Sequence, residues 1–248
     1  MTRTILITGG SRGIGRSAAI LAGQRGWSVG VNYIGNKQAA DEVVKAVVDA
    51  GGKAIAIKGD VADEADVVAM FERTVAELGP LDGVVVNAGI VAPPQRLMDM
   101  SVERMRRIFD VNVLGAYLCA RESVRRLARS SGGKGGSIVL LSSAAARLGA
   151  PGEYVDYAGA KGAVDTLAIG LSKEVGPEGI RVNAVRPGLI ETDIHASGGQ
   201  PDRAQRLGVT APLGRAGTAD EVGESIVWLL GDASSYVTGA IIDVTGGR

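Results

Sequence analysis

Residues 4–15 read Thr4-Ile-Leu-Ile-Thr8-Gly-Gly-Ser-Arg-Gly-Ile-Gly15, an apolar run followed by a glycine-rich loop. A continuously apolar run is typical of a strand that is buried on both faces of a parallel sheet. Glycines let the backbone turn tightly and approach a ligand, and the start of the next helix offers free N–H groups to a phosphate. The segment therefore predicts the first unit of a dinucleotide-binding fold. Its spacing is not the common G-x-G-x-x-G, so a glycine-rich turn without a ligand stays open as an alternative.

Short β-branched runs continue along the chain and alternate with helix-like segments. After Thr4–Thr8 the predicted strands are Val29–Tyr33, Ala54–Lys58, Gly83–Asn87, Ser137–Leu141, Arg181–Val185 and Ala240–Val244. The predicted helices lie near 13–26, 37–50, 64–78, 101–130, 157–175 and 218–231. This alternation predicts an α/β fold, with a single Rossmann-type doubly wound parallel sheet of about seven strands and helices on both faces.

Two segments interrupt the alternation. Residues 130–136, SSGGKGG, predict a surface loop. Residues 191–215 follow the sixth strand and form a long insertion at its carboxyl end, which is the usual position of a substrate lid. Since no linker-like stretch divides the chain, we expect residues 1–248 to form one domain.

Composition excludes several classes of function. The chain has 248 residues, with 27 Lys and Arg against 27 Asp and Glu, so it lacks the basic excess of a nucleic-acid binder. One cysteine, Cys119, excludes an intramolecular disulfide and suits a reducing compartment. One histidine, His195, argues against a zinc site, and no metal is expected. No apolar stretch is long enough to cross a bilayer, so we expect a cytoplasmic protein without a membrane partner.

The residues after the second strand indicate which dinucleotide would bind. An acidic side chain at this position bonds the ribose hydroxyls of NAD and repels an added phosphate. Here the strand ends with Asn32 and Tyr33, and Arg12 in the glycine loop could pair with a 2′-phosphate. These features favour NADP over NAD, and the alternative for Arg12 is an ordinary solvated loop charge. Lys37 lies just beyond, where an ordinary exposed lysine at a helix start is the simpler interpretation.

Tyr157 and Lys161 stand four residues apart at the start of a predicted helix and therefore share one face. An ammonium about 4 Å from a phenolate contributes about 4 kcal/mol at an effective dielectric of ~20. That is enough to bring the phenol pKa from about 10 to near neutrality, so the pair could act as a general acid and base. An ordinary surface pair is the alternative.

Other polar residues fall near the same edge of the sheet. Ser142 and Ser143 end the fifth strand, where a hydroxyl could hold a substrate carbonyl oxygen or simply cap the chain. Asn112 interrupts an apolar helix pattern although asparagine is a poor helix former, so we expect a specific role, or else a side chain that faces solvent or bonds its own helix.

Taken together, these motifs resemble the compact single-domain branch of the short-chain dehydrogenase/reductase family. The resemblance covers essentially the whole chain and rests on markers in the family's order: 8–15, Asp60-Val61, Asn87-Ala-Gly89, Asn112, Ser143, Tyr157 with Lys161, Arg186-Pro-Gly188, Ile190 and Thr192. Two departures stand out. Val86 precedes Asn87 where the family often has a second asparagine, and Ser143 and Tyr157 are fourteen residues apart, one more than is common. The longer interval leaves open whether Ser142 or Ser143 faces the substrate; we favour Ser143.

The resemblance implies a role for each marker. Tyr157 would exchange a proton with the substrate, Lys161 would lower its pKa and bond the nicotinamide ribose, Ser143 would orient the substrate oxygen, and Asn112 would hold a relay water. Asp60 would contact the adenine amine, with Val61 beside the ring, and Ile190 and Thr192 would fix the carboxamide. The full implied cofactor set is Gly9, Ser11, Arg12, Gly13, Ile14, Gly15, Asn32, Tyr33, Asp60, Val61, Asn87, Ala88, Gly89, Tyr157, Lys161, Pro187, Gly188, Ile190 and Thr192.

We therefore expect an NADP-dependent oxidoreductase that acts on a carbonyl/alcohol pair, resembling sugar dehydrogenases or 3-oxoacyl reductases and forming a homotetramer. The runner-up is a dinucleotide-binding sensor or scaffold without turnover. An extended-branch epimerase or dehydratase would need more chain after the sixth strand. Glu153 and Asp156 near the expected pocket mouth slightly disfavour anionic substrates and could bond sugar hydroxyls, but we interpret both as solvated loop charges. His195 could touch substrate from the lid, and the simpler interpretation is an exposed residue.

Overall fold

A computed structural model describes residues 2–248, which contain one seven-stranded sheet with every neighbouring pair parallel. The predicted doubly wound parallel sheet is confirmed. The strand order is β3-β2-β1-β4-β5-β6-β7. The strands are β1 Thr4–Ile7, β2 Ser28–Tyr33, β3 Lys53–Lys58, β4 Gly83–Val86, β5 Gly136–Leu141, β6 Ile180–Pro187 and β7 Ile241–Val244.

The helices occupy the segments between the strands. They are α1 Gly13–Gln24, α2 Lys37–Asp49, α3 Glu64–Leu78, α4 Val102–Phe109, α5 Gly115–Leu127, α6 Ala145–Leu148, α7 Val155–Val175, α8 Ile194–Ser197, α9 Arg203–Gly208 and α10 Ala219–Leu230. Side chains fix several starts: Asn36, Asp63 and Thr218 cap α2, α3 and α10 by accepting main-chain N–H groups.

The single helix predicted over 101–130 is wrong. A five-residue π-helical segment, Asp110–Leu114, separates α4 from α5. It contains Asn112, which is 1% exposed and donates a hydrogen bond to the carbonyl of Ile108 at 2.9 Å. Segments of this kind often occur at functional sites.

Alternate residues of each central strand enter two separate cores. Ile5 and Ile7 of β1 pack with α1, α2 and α10, whereas Leu6 faces the layer formed with α3, α5 and α7. Strands covered on both faces explain the continuously apolar runs in the sequence. Among residues 2–248, no helix is both long and apolar enough to cross a membrane.

The chain reverses its direction of winding between β1 and β4, which lie side by side. Ligands of open α/β sheets bind at the carboxyl ends of the strands beside such a point. At this edge the Asn87 main-chain N–H donates to the Thr8 hydroxyl at 2.9 Å, so the loops that follow the two strands are joined. We call this side of the sheet the catalytic edge.

Candidate active site

The glycine loop between β1 and α1 needs its glycines for two different reasons. Gly9 and Gly13 have positive φ angles of 61° and 53°, which side chains rarely adopt. Gly15 has ordinary φ, but a Cβ there would lie 2.5 Å from the Gly9 carbonyl oxygen and 2.6 Å from Asn87 Nδ2. The loop thus folds back tightly on the first turn of α1, where no side chain caps the N-terminus.

The side chains of two asparagines fix this loop by hydrogen bonds to its main chain. Asn87 donates to the carbonyls of Thr8 and Gly9 at 2.8 and 3.0 Å. Asn32 accepts from the Gly9 N–H at 2.9 Å and donates to the Gly59 carbonyl at 3.0 Å. The amide side chains fix the loop conformation and leave the α1 N-terminus to face a ligand.

Two cavities, of about 490 and 220 Å³, lie along the catalytic edge and share Ile14, Asn87, Gly89, Thr192 and Ile194. We call this continuous space the crevice. Of the residues predicted to bind cofactor or act in catalysis, all but Gly15 and Asn112 line it. The smaller cavity contains Gly9, Ser11, Arg12, Gly13, Asn32, Tyr33, Asp60, Val61 and Ala88, and the larger contains Ser143, Tyr157, Lys161, Pro187, Gly188 and Ile190.

Tyr157 and Lys161 lie on the first turns of α7, and both reach the larger cavity. The Lys161 ammonium is 5.6 Å from the centroid of the Tyr157 ring. It donates to the main-chain carbonyl of Leu141, at the end of β5, at 2.7 Å. The predicted shared helix face is therefore present, and β5 fixes the lysine.

The two serines after β5 have different environments. Ser142 is 4% exposed, and its hydroxyl donates to the Lys161 carbonyl at 3.1 Å, so it ties β5 to α7. Ser143 accepts from the Ala145 N–H at 3.1 Å and interacts with the Tyr157 phenol. The geometry favours Ser143 as the hydroxyl beside Tyr157.

Burial shifts both ionisable groups of the pair. Desolvation raises the pKa of Tyr157 to about 12, and hydrogen bonding with Ser143 only partly offsets it. Desolvation lowers the pKa of Lys161 to about 8, against the opposing effect of the Asp165 carboxylate. In this geometry burial and Ser143 set the pKa of Tyr157, and the implied lowering of that pKa by Lys161 stays a prediction.

Asn112 lies behind the crevice and not on its wall. Its amide donates to the carbonyls of Ile90 and Ile108, and its oxygen accepts from the Ile90 N–H at 3.1 Å. A Cβ at Gly89 would lie 2.8 Å from Asn112 Oδ1 and 3.3 Å from Lys161 Nζ, so these three residues meet. Because both amide hydrogens are used, the side chain braces the 89–90 segment, and the implied relay water stays a prediction.

The far end of the crevice contains a residue that the sequence analysis missed. Arg107, on α4, lines the smaller cavity and lies 3.6 Å from Asp60. Nothing in its local sequence distinguishes it from neighbouring arginines.

Arg12 also lines this cavity and contacts the Ser197 hydroxyl of α8 at 3.4 Å. Lys37 pairs instead with Asp41, one helical turn away, and the Lys37 pKa is raised by that carboxylate.

The interpretation of Glu153 and Asp156 as solvated charges is wrong. Asp156 is 5% exposed and is bound by Arg104, with Nε–Oδ2 at 2.9 Å. Glu153 is held by both terminal nitrogens of Arg203, at 2.8 and 2.6 Å. This pair joins α9 to the loop before α7, and it lowers the pKa of Glu153.

The expectation that His195 is simply exposed is also wrong. Its side chain is half-buried in the crevice wall, and Nε2 lies 3.0 Å from the Ile190 carbonyl. A carbonyl can only accept, so Nε2 carries the proton of the neutral ring. Desolvation lowers the His195 pKa and keeps the ring neutral.

The crevice fits a dinucleotide on geometric grounds. A tightly folded glycine loop and an uncapped helix start lie in its middle, suited to a pyrophosphate. A pocket with Val61 and Asp60 extends to one side, and the Tyr157–Lys161 pair lies on the other. Within residues 2–248 no group of three or more His, Cys, Asp or Glu side chains is arranged to hold a metal ion.

Comparison with known proteins agrees with this geometry. A family model described as enoyl-(acyl carrier protein) reductase matches residues 9–248. The levodione reductase crystal structure superposes with a TM-score of 0.92 at 28% identity, covering 99% of this chain and 96% of that one. The chain belongs to the short-chain dehydrogenase/reductase family. It is therefore an oxidoreductase of the class that acts on CH–OH and C=O groups and uses a nicotinamide cofactor.

Two relatives of this dehydrogenase/reductase span nearly its full length. The uncharacterized oxidoreductase YgfF of Escherichia coli is 52% identical over 243 residues, covering 98% of both chains. The L-rhamnose 1-dehydrogenase (NAD(P)(+)) of a Sphingomonas species is 38% identical over 247 residues, covering 99% of this chain and 95% of the relative.

Proposed function

We propose that the protein is an NADP-dependent oxidoreductase in which Tyr157 exchanges a proton with a carbonyl or alcohol substrate. One observation carries the proposal: Tyr157, Lys161 and Ser143 line a cavity that is continuous with the glycine-loop cavity. The cofactor, when bound, supplies or accepts the hydride. The residues of this chain supply position, charge and the proton.

Tyr157 is suited to donate a proton to a reduced carbonyl. A phenol with a pKa near 12 keeps its proton throughout the physiological range. Lys161, with a pKa near 8, is mostly charged at neutral pH and stabilises the phenolate that forms as the proton leaves. Ser143 offers a hydroxyl to the same carbonyl oxygen, which gains negative charge in the transition state. Asn112 acts through the 89–90 segment and through any water held there.

The preference for NADP rests on Arg12. This guanidinium lines the smaller cavity beside Tyr33, and β2 ends in Asn32 and Tyr33 with no carboxylate. A 2′-phosphate in this region would meet a positive charge and no repulsion. NAD would lose this pairing while keeping every other contact.

The proposed substrates are a sugar or polyol, a small cyclic ketone and a 3-oxoacyl thioester. The names of the relatives support all three classes, since they include an L-rhamnose 1-dehydrogenase, a levodione reductase and a Staphylococcus aureus 3-oxoacyl-acyl-carrier-protein reductase that is 35% identical. A cavity of about 490 Å³, part of which the nicotinamide would occupy, suits a compact substrate. A sensor without turnover is disfavoured because Ser143, Tyr157 and Lys161 are all in place.

We further propose that residues 191–215 form a lid over the substrate. α8 and α9 lie in this segment, and Thr192, Ile194, His195 and Arg203 line the larger cavity. Gln200 donates to the Tyr154 hydroxyl at 2.7 Å, which with the Arg203–Glu153 pair holds the segment against the loop before α7. Residues 1–248 would form one domain built around the single sheet.

A homotetramer is proposed from the exposed apolar side chains near the π-helical segment. Phe109, Leu114 and Tyr117 are each between 44% and 48% exposed on α4, the π-helical segment and α5. Such a cluster suits contact with a second copy. Light scattering at micromolar concentration tests this, and a monomer would contradict it.

A cytoplasmic location is proposed from the single buried cysteine, and cell fractionation tests it.

The decisive experiment measures initial rates of NADPH oxidation, with NADH in parallel, over sugar aldehydes, cyclic ketones and 3-oxoacyl thioesters. We expect turnover that needs NADPH. Binding of NADPH without turnover of any substrate class would favour the sensor, and equal catalytic efficiency with NADH would overturn the NADP preference.

A further inference from the structure

Arg248 lies at the substrate end of the crevice, and one nitrogen of its guanidinium has no hydrogen-bond partner among the described residues. Its residue lines the larger cavity together with Ser143 and Tyr157. Nη1 is shielded from solvent and has no hydrogen-bond partner in the part of the chain that the structure describes. Because no protein acceptor pairs with Nη1, the guanidinium keeps its full charge beside the cavity, and a carboxylate is the acceptor that matches its planar fork.

The C-terminal segment is fixed at this position. Arg147, on α6, donates to the main-chain oxygen of Arg248 at 2.8 Å. The carboxylate on the same segment, Asp243, is already bound by Arg147 at 3.0 Å and lies 3.7 Å from Arg186. Two cations thus engage Asp243, and the Arg248 guanidinium is left for another anion.

The charges on the cavity wall leave a positive excess. Glu153 is neutralised by its paired contacts with Arg203. His195 is neutral, because desolvation lowers its pKa. Lys161 and Arg248 remain as cations without a facing carboxylate in the cavity. Lys161 is held by Leu141 next to the reacting oxygen, so Arg248 is the cation available to the rest of a substrate.

The wall between the two ends is mainly apolar. Leu148, Pro151, Leu189, Val91 and Ile194 line the larger cavity. Such a wall accommodates a hydrocarbon ring or chain, and it offers few partners for the many hydroxyls of a sugar.

We propose that Arg248 binds a substrate carboxylate, so that the preferred substrate is a keto acid, or the matching hydroxy acid, with an apolar body between its two polar ends. This inference rests on the proposed function, since it places the carbonyl at Tyr157. It reverses the sequence-based expectation that an acidic mouth disfavours anions, because the acids concerned are paired. Arg248 is a specificity residue and takes no part in the proton transfer.

The test compares each keto acid with its own methyl ester, which keeps the carbonyl and removes the charge. The series is levulinate and its next two longer-chain homologues, measured with NADPH. We expect wild type to favour at least one acid over its ester in kcat/KM, and Arg248→Gln to reduce that acid/ester ratio at least tenfold. Arg248→Lys, which keeps a point charge without the planar fork, should retain part of the ratio.

The matched control is Arg73→Gln, an exposed arginine on α3 that pairs with Glu77 away from both cavities. It should leave the rates with acid and ester unchanged. Calorimetric binding of the same acids and esters to the enzyme with NADP provides a readout that needs no turnover. If acids bind more tightly than esters and Arg248→Gln removes the difference, the carboxylate site stands even when no ketone is reduced.

Two results would overturn the proposal. One is turnover of ketones with an acid/ester ratio that Arg248→Gln does not change, which would leave the proposed function intact. The other is an unchanged ratio with weaker NADPH binding in Arg248→Gln, which would show that the guanidinium serves a cofactor phosphate. An absence of turnover with every ketone, together with normal acid binding, would count against the proposed function alone.

Discussion

Asn112 and Ile90 exchange two hydrogen bonds, N–H to Oδ1 at 3.1 Å and Nδ2 to the carbonyl at 3.0 Å. The side chain thus substitutes for a strand partner to the loop that follows β4. Its second amide hydrogen reaches the Ile108 carbonyl, in the last turn of α4 just before the π-helical segment. One buried carboxamide therefore joins the end of α4 to the loop beside Lys161.

Replacing Asn112 with Leu should lower both stability and activity. The part-buried N–H and carbonyl of Ile90 would lose these partners, at a cost of up to about 3 kcal/mol in the free energy of unfolding. Chemical denaturation measures this loss. The control is Asn36→Ala, which removes the cap of α2 and should cost about 0.5–2 kcal/mol. Only the Asn112 variant should also lose kcat. Equal kcat in the Asn112 and Asn36 variants would refute the role of Asn112 in bracing the 89–90 segment.

Replacing Tyr157 with Phe should reduce kcat by about 10²–10⁴-fold, because the proton donor is lost while the ring stays. NADPH binding, followed by fluorescence titration, should persist. Tyr236→Phe is the matched control, since Tyr236 is fully exposed and lines neither cavity. Turnover that survives in Tyr157→Phe would disprove the proposed mechanism.

The rate of carbonyl reduction should depend on the charge of Lys161. Below pH about 8 the ammonium is present and stabilises the forming phenolate, and above that value its charge is lost. We therefore expect kcat/KM for reduction to be level at neutral pH and to fall as the pH rises through about 8. Tyr157, with a pKa near 12, stays protonated over this range.

Asp165 should set the position of that fall. Its carboxylate raises the pKa of Lys161, and Arg186 holds it with bonds of 2.8 and 3.0 Å. Asp165→Asn should therefore move the fall to lower pH, and Asp165→Glu should restore it in part. A structural role alone would lower the rate at every pH without moving the profile.

Arg12→Gln should weaken NADPH binding by about 10–100-fold and leave NADH binding nearly unchanged. A hydrogen bond to a charged group contributes about 1.5–3 kcal/mol, and only NADPH carries the 2′-phosphate. Lys37→Gln is the control, because Lys37 pairs with Asp41 outside both cavities. Fluorescence titrations compare the variants, and equal losses for both dinucleotides would contradict the assignment.

Gly15→Ala should abolish dinucleotide binding. The added methyl would lie 2.5 Å from the Gly9 oxygen, a distance that forces the loop to move. Gly170→Ala provides the matched control, because its Cβ would meet open space on α7. That change should raise the free energy of unfolding by up to about 1 kcal/mol without altering binding. A Gly15→Ala protein that binds NADPH normally would refute the close packing.

Local patterns were enough to predict the strands, the glycine loop and the i,i+4 pair. Apolar runs such as Ile5–Ile7 are determined by burial on both faces, and Tyr157 and Lys161 share a face by helix geometry alone. The errors involve partners distant in the chain. Asp156 is paired with Arg104, fifty-two residues away, and Asn112, in the segment that interrupts the predicted helix, bonds Ile90, twenty-two residues away. No local pattern contains these contacts.

All seven strands point the same way, so the active site lies at one edge of the sheet and the loops at the opposite edge are one strand length away from it. Those loops are suitable places to attach another molecule. β5 carries Ser142 and Ser143 past its carboxyl end, and the loop around Ser131 and Gly132 precedes its amino end. Six residues of strand span about 20 Å. The loop tip is exposed, and Gly132 has open space around it. A reporter domain or affinity tag inserted there would leave the crevice accessible, so the enzyme could be immobilised with its substrate entrance facing solution.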